Sequence, residues 1–236
     1  MTGRAKCAWF PLALPENLPH VRAIPNRPMN PTIFRFLSLT ALAVLALALG
    51  ACETTKPAGP RNSFTFDPPV QKPKNPAAVK VKLSTGAQRL YVVEGDTVLL
   101  ATPVTVGKAS SPTPHGTFPI QAKVEQRRRV SSPGSGYPMT YWMQFYSPAY
   151  GMHWGFIKPY PSTHGCVRIP LKAAKKVFAL VRVGTPVHVA TSQPWDATIG
   201  KSLPTLDDSR LPDPPMSYML SPKVFSDARE GKMWNF

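Results

Sequence analysis

Cysteine is scarce in this chain of 236 residues, which contains three: Cys7, Cys52 and Cys166. The three are widely separated and lie in segments of different composition, so a disulfide framework is not expected. Cys166 is the only cysteine that follows residue 52. Any thiol chemistry in the rest of the chain must therefore come from this one side chain.

Acidic residues are also few. The chain has 12 Asp and Glu against 28 Lys and Arg, which gives a formal net charge of +16. Such an excess implies anionic surroundings, such as lipid headgroups, an acidic cell-wall polymer or nucleic acid. Charge alone does not choose among these partners.

A long uncharged apolar run occurs at residues 36–51, which read FLSLTALAVLALALGA, with Arg27 and Arg35 before it. A basic flank followed by a short apolar run is typical of a signal peptide. At sixteen residues, the run is shorter than the roughly 20 residues that a spanning helix needs. Its end, LGAC at residues 49–52, resembles a bacterial lipobox, which implies cleavage before Cys52 and lipidation of its thiol.

Residues 1–51 are therefore predicted to be a signal segment, with a single uncleaved anchor helix as the alternative. Both place the rest of the chain outside the inner membrane, and we expect a lipid-anchored protein on the periplasmic side of the cell envelope. An exported protein rarely meets nucleic acid, so a nucleic-acid partner is not expected. Residues 1–28 are an awkward prefix for such a signal, whereas the sequence from Met29 is compact, so Met29 is predicted to be the true start.

Proline is abundant, with 29 residues, so a good part of the chain must be turns, linkers or extended segments. Residues 52–77 are rich in Pro, Lys and small polar residues, a composition typical of an extended tether. One folded domain is expected over residues 78–190. An irregular C-terminal extension is predicted for residues 191–236, because repeated prolines interrupt any long element there.

The predicted domain is mainly β, a sheet-dominated fold with one helix. Val79, Val81 and Leu83 alternate with Lys80 and Lys82, which indicates a strand with one buried face. Other segments with strand or hairpin patterns are 90–93, 98–106, 118–124, 139–145 and 185–190.

The one predicted helix covers residues 171–182. Pro170 suits its first turn and Gly184 is a stop signal. Its apolar stripe consists of Leu171, Ala174, Phe178 and Val181.

Histidines surround Cys166 in the stretch STHGCVRIP, residues 162–170. A cysteine becomes a nucleophile when its thiolate is populated near neutral pH, which needs a nearby imidazole or a positive field. His164 is two residues away and would point to the same face of an extended chain. His153 can approach only if the intervening loop folds back.

Gly165 and Arg168 are candidates for two further roles at this site, oxyanion stabilisation and substrate binding. A glycine before the nucleophile lets the backbone turn tightly, so that nearby amides can face a developing oxyanion. Arg168 supplies a donor fork for a carboxylate. Nucleophile, base, oxyanion donors and substrate anchor are therefore candidates within one short region.

Two other interpretations stay open from spacing alone. A lone cysteine is most often a small buried hydrophobic residue. Cys166 could instead bind zinc with His153, His164 and His115, although the chain has no paired CxxC or HxxxH spacing.

Two longer patterns resemble a known family. YGMH at residues 150–153, followed by STHGCVR at residues 162–168, resembles the signature of the L,D-transpeptidases, the YkuD-like domain. TPHGTF at residues 113–118 is similar to the upstream Thr-Pro-x-Gly-x-Phe turn of that family. The resemblance covers roughly residues 78–190 and implies a β-sandwich that carries a catalytic cysteine.

The resemblance also implies roles for individual residues. Cys166 would be the nucleophile and His153 the general base or acid, while His164 shapes the site. Backbone amides near Gly165 and Cys166 would stabilise the oxyanion, and Arg168 would hold a diaminopimelate-containing donor. Neither a metal nor another cofactor is expected. Further substrate-binding candidates are Thr163, Trp154 and Tyr141. Trp142 is a third aromatic candidate for lining the groove, and core packing is expected for at least one of the three.

The implied function is acyl transfer in peptidoglycan biosynthesis, and hence in cell wall organization and cell shape. Cys166 would attack after the third residue of a stem peptide, expel the terminal D-alanine, and pass the acyl group to an amine of a neighbouring stem or of a wall-attached protein. Alternatives are an L,D-carboxypeptidase, in which water is the acceptor, and a non-catalytic lipoprotein that binds the wall. The protein is expected to act as a monomer.

Overall fold

The computed structural model describes residues 61–131 and 136–232. The predicted signal segment, the lipobox cysteine Cys52, the proposed start at Met29 and the first part of the tether lie outside these residues. Within the two described ranges, no helix is both long enough and apolar enough to cross a bilayer.

In the described residues, nine strands form two sheets, which confirms the prediction of a mainly β fold. The five-stranded sheet has the order β3-β2-β1-β9-β4, and the four-stranded sheet has the order β5-β6-β7-β8. The strands are β1 (Val79–Ser84), β2 (Arg89–Glu94), β3 (Thr97–Pro103), β4 (Gly116–Pro119), β5 (Ala122–Val124), β6 (Trp142–Gln144), β7 (Gly151–Trp154), β8 (Val167–Ile169) and β9 (Pro186–Ala190).

The first sheet follows the alternation seen in the sequence. In β1, Val79, Val81 and Leu83 are buried, while Lys80 is exposed and Lys82 half-buried. Apolar residues on one face of a strand reach a core together because the side-chain period is two. β2 pairs antiparallel with both β1 and β3, and β9 returns parallel to β1.

The second sheet contains strands that the sequence pattern did not resolve. The period-two pattern from Phe118 to Val124 is divided between β4 in the first sheet and β5 in the second, with Pro119 at the end of β4. Proline lacks the N–H that continues a ladder. β7 and β8 are four and three residues long, too short for alternation to be read.

The core contains buried residues of both sheets and of helix α1, Leu171–Leu180. Pro170 occupies the N-cap of α1, and the helix ends two residues before the predicted limit. Its buried residues are Leu171, Ala173, Ala174 and Val177. This apolar stripe fixes the helix against the core, as an amphipathic pattern predicts.

Part of the segment predicted to be an irregular extension is helical. A short π-helix covers Asp196–Gly200, and two α-helices, α2 (Met216–Leu220) and α3 (Lys223–Glu230), follow Pro215 and Pro222. These prolines were interpreted as helix breakers, but proline also favours the start of a helix because its missing N–H would have no intrahelical partner there. Residues of both helices belong to the main core: Met219, Val224, Phe225 and Ala228.

Candidate active site

A cleft of about 720 Å³ is lined by β7, the turn before β8, β8 itself, and the loop between β5 and β6. Most of the residues singled out from the sequence meet here. The lining includes His153, Thr163, His164, Cys166 and Arg168.

Parallel pairing of β7 with β8 brings the histidine and the cysteine together. Met152 is opposite Val167 and His153 is opposite Arg168. Cys166, directly before β8, therefore lies on the same face as Arg168 and diagonally from His153. Adjacent strands lie about 4.8 Å apart and alternate residues about 7 Å apart along a strand, so the two side chains are neighbours although thirteen positions separate them in the chain.

A network of threonine hydrogen bonds holds the turn before Cys166. The Thr163 hydroxyl donates to the carbonyl oxygen of Cys166 (2.6 Å) and accepts from the amide of Gly165 (3.1 Å). The hydroxyl of Thr113, in the TPHGTF motif, donates to the carbonyl oxygen of Gly165 (3.0 Å). This bond explains physically why the upstream motif accompanies the cysteine motif, because it fixes the backbone that presents the thiol.

Position 165 requires glycine for two reasons, its backbone conformation and the lack of room for a side chain. Its φ is +105°, a region that residues with a side chain rarely adopt. A Cβ at this position would also collide with Cε1 of the Tyr150 ring. Any larger residue would displace the ring or the turn, and with it the position of Cys166.

The thiol of Cys166 is half-buried and lies at the cleft surface. Its Sγ donates to the carbonyl oxygen of Ala149 (3.4 Å). Burial raises the pKa of this thiol, and the amide of Gly151 and the charges of Arg168 and other arginines offset part of that rise. In the resting protein, Cys166 is therefore a neutral thiol near pH 7.

The imidazole of His153 is buried, with 6% of the residue exposed. Its Nδ1 is hydrogen-bonded to the carbonyl oxygen of Trp154, so in the neutral ring Nδ1 carries the proton and Nε2 carries the lone pair. The ring stacks on Trp142 with centroids 5.7 Å apart, and the guanidinium of Arg127 lies 4.0 Å from the Trp142 ring. This stack restricts rotation of the imidazole.

Burial is the main reason why the pKa of His153 is lowered to about 4. The hydrogen bond to Trp154 opposes this shift, and the charges of Arg168 and Arg127 add to it. His153 is therefore neutral at neutral pH and able to accept a proton.

Acidification is expected to destabilise the fold through His153. Its folded pKa of about 4 lies below the ordinary value of 6.5, so between these values the unfolded chain binds a proton that the folded protein excludes. The contribution of the neutral His153 side chain to the free energy of unfolding is fully present above pH 6.5. It is expected to fall by up to about 3 kcal/mol as the pH approaches 4.

Urea denaturation of the wild-type protein and of His153→Gln between pH 7 and pH 4 measures how much unfolding free energy is lost through His153. The variant has no imidazole at this position, so its stability is expected to decline less steeply across the window. Equal pH dependence in the two proteins would contradict a buried neutral His153.

Three arginines, Arg127, Arg129 and Arg168, line the cleft, whereas no Asp or Glu is among its described lining residues. The ion pairs identified in residues 61–131 and 136–232 involve none of the three. The cleft is therefore a positively charged concavity, suited to an anionic ligand.

The positions of Trp154 and Tyr141 do not fit a role in lining a substrate groove. Both are almost fully buried in the hydrophobic core, at 0% and 3% exposure, and neither lines the cleft. In β7 the residue after His153 faces away from the cleft because the strand period is two. Of the three aromatic candidates, Trp142 lines the cleft. Arg127 and Arg129 also line it, and the three-arginine run at 127–129 was their signal in the sequence.

The other two histidines in the described residues, His115 and His188, lie outside this site. His115 Nε2 is 2.9 Å from the hydroxyl of Thr85, and His188 Nδ1 is 3.2 Å from Nε2 of Gln193. Within the described part of the chain, no group of three or more His, Cys, Asp or Glu residues is clustered in a way that could hold a metal ion.

Residues 77–189 match the sequence model of the YkuD family, described as the L,D-transpeptidase catalytic domain. The matched segment contains His153, Cys166 and the Thr113 motif. It agrees with the resemblance noted from the motifs. No curated protein matches the chain.

Solved structures of L,D-transpeptidases resemble about half of this chain. The L,D-transpeptidase from Stackebrandtia nassauensis is 26% identical over 53% of this chain and 60% of its own, with a TM-score of 0.44. A mutant L,D-transpeptidase from Enterococcus faecium is 25% identical over 48% of this chain and 50% of its own (TM-score 0.43). L,D-transpeptidase 1 from Mycobacterium tuberculosis is 26% identical over 48% and 61%, respectively (TM-score 0.41). The chain thus covers between 50% and 61% of the length of these proteins.

Proposed function

We propose that this protein is a peptidoglycan L,D-transpeptidase that works through a cysteine acyl-enzyme. One observation carries the proposal. In a segment that matches the L,D-transpeptidase catalytic domain, a thiol and an imidazole with its Nδ1 bonded to a carbonyl line the same cleft. An imidazole held in this way keeps Nε2 as the proton acceptor, which is what a neutral cysteine nucleophile needs.

In the proposed first step, His153 Nε2 takes the proton from Cys166 as Sγ attacks the carbonyl carbon of the third residue of a stem peptide. The tetrahedral oxyanion then collapses, the bond to the terminal D-alanine breaks, and the imidazolium returns its proton to the leaving amine. The products are free D-alanine and a thioester on Cys166.

The turn before β8 supplies the oxyanion donor in this mechanism. The amide of Gly165 is already bonded to the hydroxyl of Thr163, so it serves to hold the turn. We assign the oxyanion to the amide of Cys166, because the left-handed backbone at Gly165 orients the amide that follows it. The sequence suggested the amides of both Gly165 and Cys166 as oxyanion donors, and this assignment keeps only that of Cys166.

In the second step, an amine of a neighbouring stem attacks the thioester carbonyl. His153 accepts the amine proton and delivers it to the departing Cys166 sulfur, so the enzyme returns to its starting state. The product is a direct cross-link between two third residues, or an attached protein when the amine belongs to one. His164, which is exposed at the cleft, shapes the approach to the thioester.

The cellular setting forms part of the same proposal. Lipidation at Cys52 would tether the enzyme on the periplasmic side of the envelope, and the Pro/Lys-rich segment 52–77 would let a monomer reach the wall. Cross-linking there would contribute to cell shape.

Incubation of the purified protein with tetrapeptide-bearing muropeptides tests the reaction. Cross-linked dimers together with released D-alanine, identified by mass spectrometry, are the expected products. If tripeptides form without dimers, water is the acceptor and the protein is an L,D-carboxypeptidase. Absence of both products, together with a Cys166 that iodoacetamide fails to label in the folded protein, would favour a non-catalytic wall-binding protein.

A further inference from the structure

We propose that the cleft selects a peptide with several free carboxylates, and that Arg129 and Arg127 act with Arg168 as the residues that determine this specificity. The inference rests on the proposed function and names its substrate class. A single carboxylate could be held by Arg168 alone. The two arginines of the β5–β6 loop can bind additional carboxylates of the same ligand.

The side chains of the three consecutive arginines in this loop diverge. Arg127 and Arg129 line the cleft, whereas Arg128 does not. Arg128 Nη1 donates to the carbonyl oxygens of Gly136 (2.6 Å) and Met219 (2.8 Å), and its Nη2 donates to that of Ser221 (2.9 Å).

Helices α2 and α3 therefore brace this loop through Arg128. The Arg128 guanidinium also lies 4.6 Å from the ring centroid of Phe225 in α3. At the base of the loop, Glu125 pairs with Arg229 of α3 (2.7 Å). The brace holds the loop against the C-terminal helices, and Arg127 and Arg129 project from it toward Cys166.

The charges in the cleft are close enough to affect one another. Burial lowers the pKa of the Arg168 guanidinium, and the charge of Arg129 lowers it further. The charges of all three arginines lower the pKa of the Cys166 thiol against the effect of burial. Since arginine remains protonated in proteins, three positive charges converge on a site whose described lining has no acidic residue to neutralise them.

Such an arrangement is unfavourable in the empty protein and becomes favourable when an anion binds. Guanidinium groups match the planar geometry of carboxylates and bind them with two parallel hydrogen bonds. Arg127 uses one donor on the carbonyl of Pro148, and Arg129 uses its Nε on Ser131. Each keeps further N–H groups for a ligand, since a guanidinium has five.

The apolar part of the lining favours a peptide over a bare polyanion. Tyr137, Met139, Trp142 and Phe156 also face the cleft. Apolar walls with a few charged groups are typical of sites that bind an organic ligand in one orientation. A peptide with aliphatic segments between its carboxylates meets both requirements.

A pair of synthetic tetrapeptide stems tests the proposal. One has free carboxylates on its second and third residues. The other has carboxamides there, and both retain the C-terminal carboxylate. Calorimetric binding to Cys166→Ala protein, which cannot be acylated, is expected to be about ten- to hundredfold weaker for the amidated stem, the loss expected when charge-assisted hydrogen bonds are removed. Equal dissociation constants for the two stems would overturn the proposal.

A substitution in the same background identifies the arginine responsible. Arg129→Gln is expected to reduce the preference for the free carboxylates to a few-fold by weakening only the acidic stem. A purely structural defect would weaken both stems equally and would overturn the assignment to Arg129. Arg210→Gln, an exposed arginine that does not line the cleft, is the matched control and should keep the full preference. Because binding is measured without turnover, failure of this inference is distinct from failure of acyl transfer, which the muropeptide assay reports.

Discussion

Replacement of Cys166 by alanine is expected to lower acyl transfer by roughly 10⁴-fold or more, because the variant has no sulfur on which the thioester can form. The wild-type protein should gain the mass of a tripeptide acyl group when it is mixed with tetrapeptide stems, and Cys166→Ala should gain none. Intact-mass spectrometry during the first turnovers measures this directly.

The two other cysteines provide the matched control for this loss. The double variant Cys7→Ser, Cys52→Ser retains Cys166 as its only thiol. It should be acylated at the wild-type rate in detergent solution. Thermal unfolding of Cys166→Ala should show a folded protein, since the thiol makes only weak hydrogen bonds, to the carbonyl of Ala149 and the amide of Gly151. An acyl adduct that persists in Cys166→Ala and maps elsewhere would overturn the assignment of the nucleophile.

Substitution of His153 by glutamine is expected to lower the rate of acylation by about 10²- to 10⁴-fold, the usual contribution of a positioned general base. Glutamine can still donate to the carbonyl of Trp154 but has no basic nitrogen to take the place of Nε2. Stem binding should change little, because the amide fills much of the same space. Stopped-flow acylation and calorimetric binding together separate the two effects.

His115→Gln is the matched control for this substitution. His115 is exposed and does not line the cleft, so its replacement should leave acylation unchanged. A comparable loss in both variants would assign the effect to something other than a base at position 153.

The pH dependence of thiol alkylation distinguishes two protonation states of the Cys166–His153 pair. Burial raises the pKa of Cys166 and lowers that of His153, so the resting pair is a neutral thiol with a neutral imidazole. The rate of iodoacetamide labelling is therefore expected to increase continuously from pH 6 through pH 9. A plateau between pH 5 and pH 8 would instead indicate a preformed thiolate–imidazolium pair and would contradict the role of His153 as a base in its neutral form.

The motif around Cys166 was readable from the sequence because its parts are local. Thr163 and Gly165 act on the backbone within three residues of the thiol, and such contacts depend on spacing along the chain. His153 was a more demanding case, since its approach to Cys166 requires β7 and β8 to pair in parallel. Resemblance to a known motif singled out His153, whereas the periodicity of two very short strands could not.

The sequence pattern missed the C-terminal helices and did not show which aromatic residue faces the cleft, for different reasons. Proline can interrupt a helix or begin one, and only the backbone around Pro215 and Pro222 distinguishes these cases. Trp142 and Trp154 are both aromatic residues in short strands. Which of them faces the cleft depends on strand register, and a shift of one residue reverses every side chain.

The sequence by itself determined the mainly β architecture, the amphipathic helix after Pro170 and the thiol turn, because alternation, helix period and turn chemistry are properties of neighbouring residues. Only the tertiary structure decided that Arg127 and Arg129 enter the cleft while Arg128 binds the C-terminal helices. In the chain these are three equivalent neighbours. Arg127 and Arg128 have partners in segments about twenty to ninety residues away, and these contacts exist only in the folded chain.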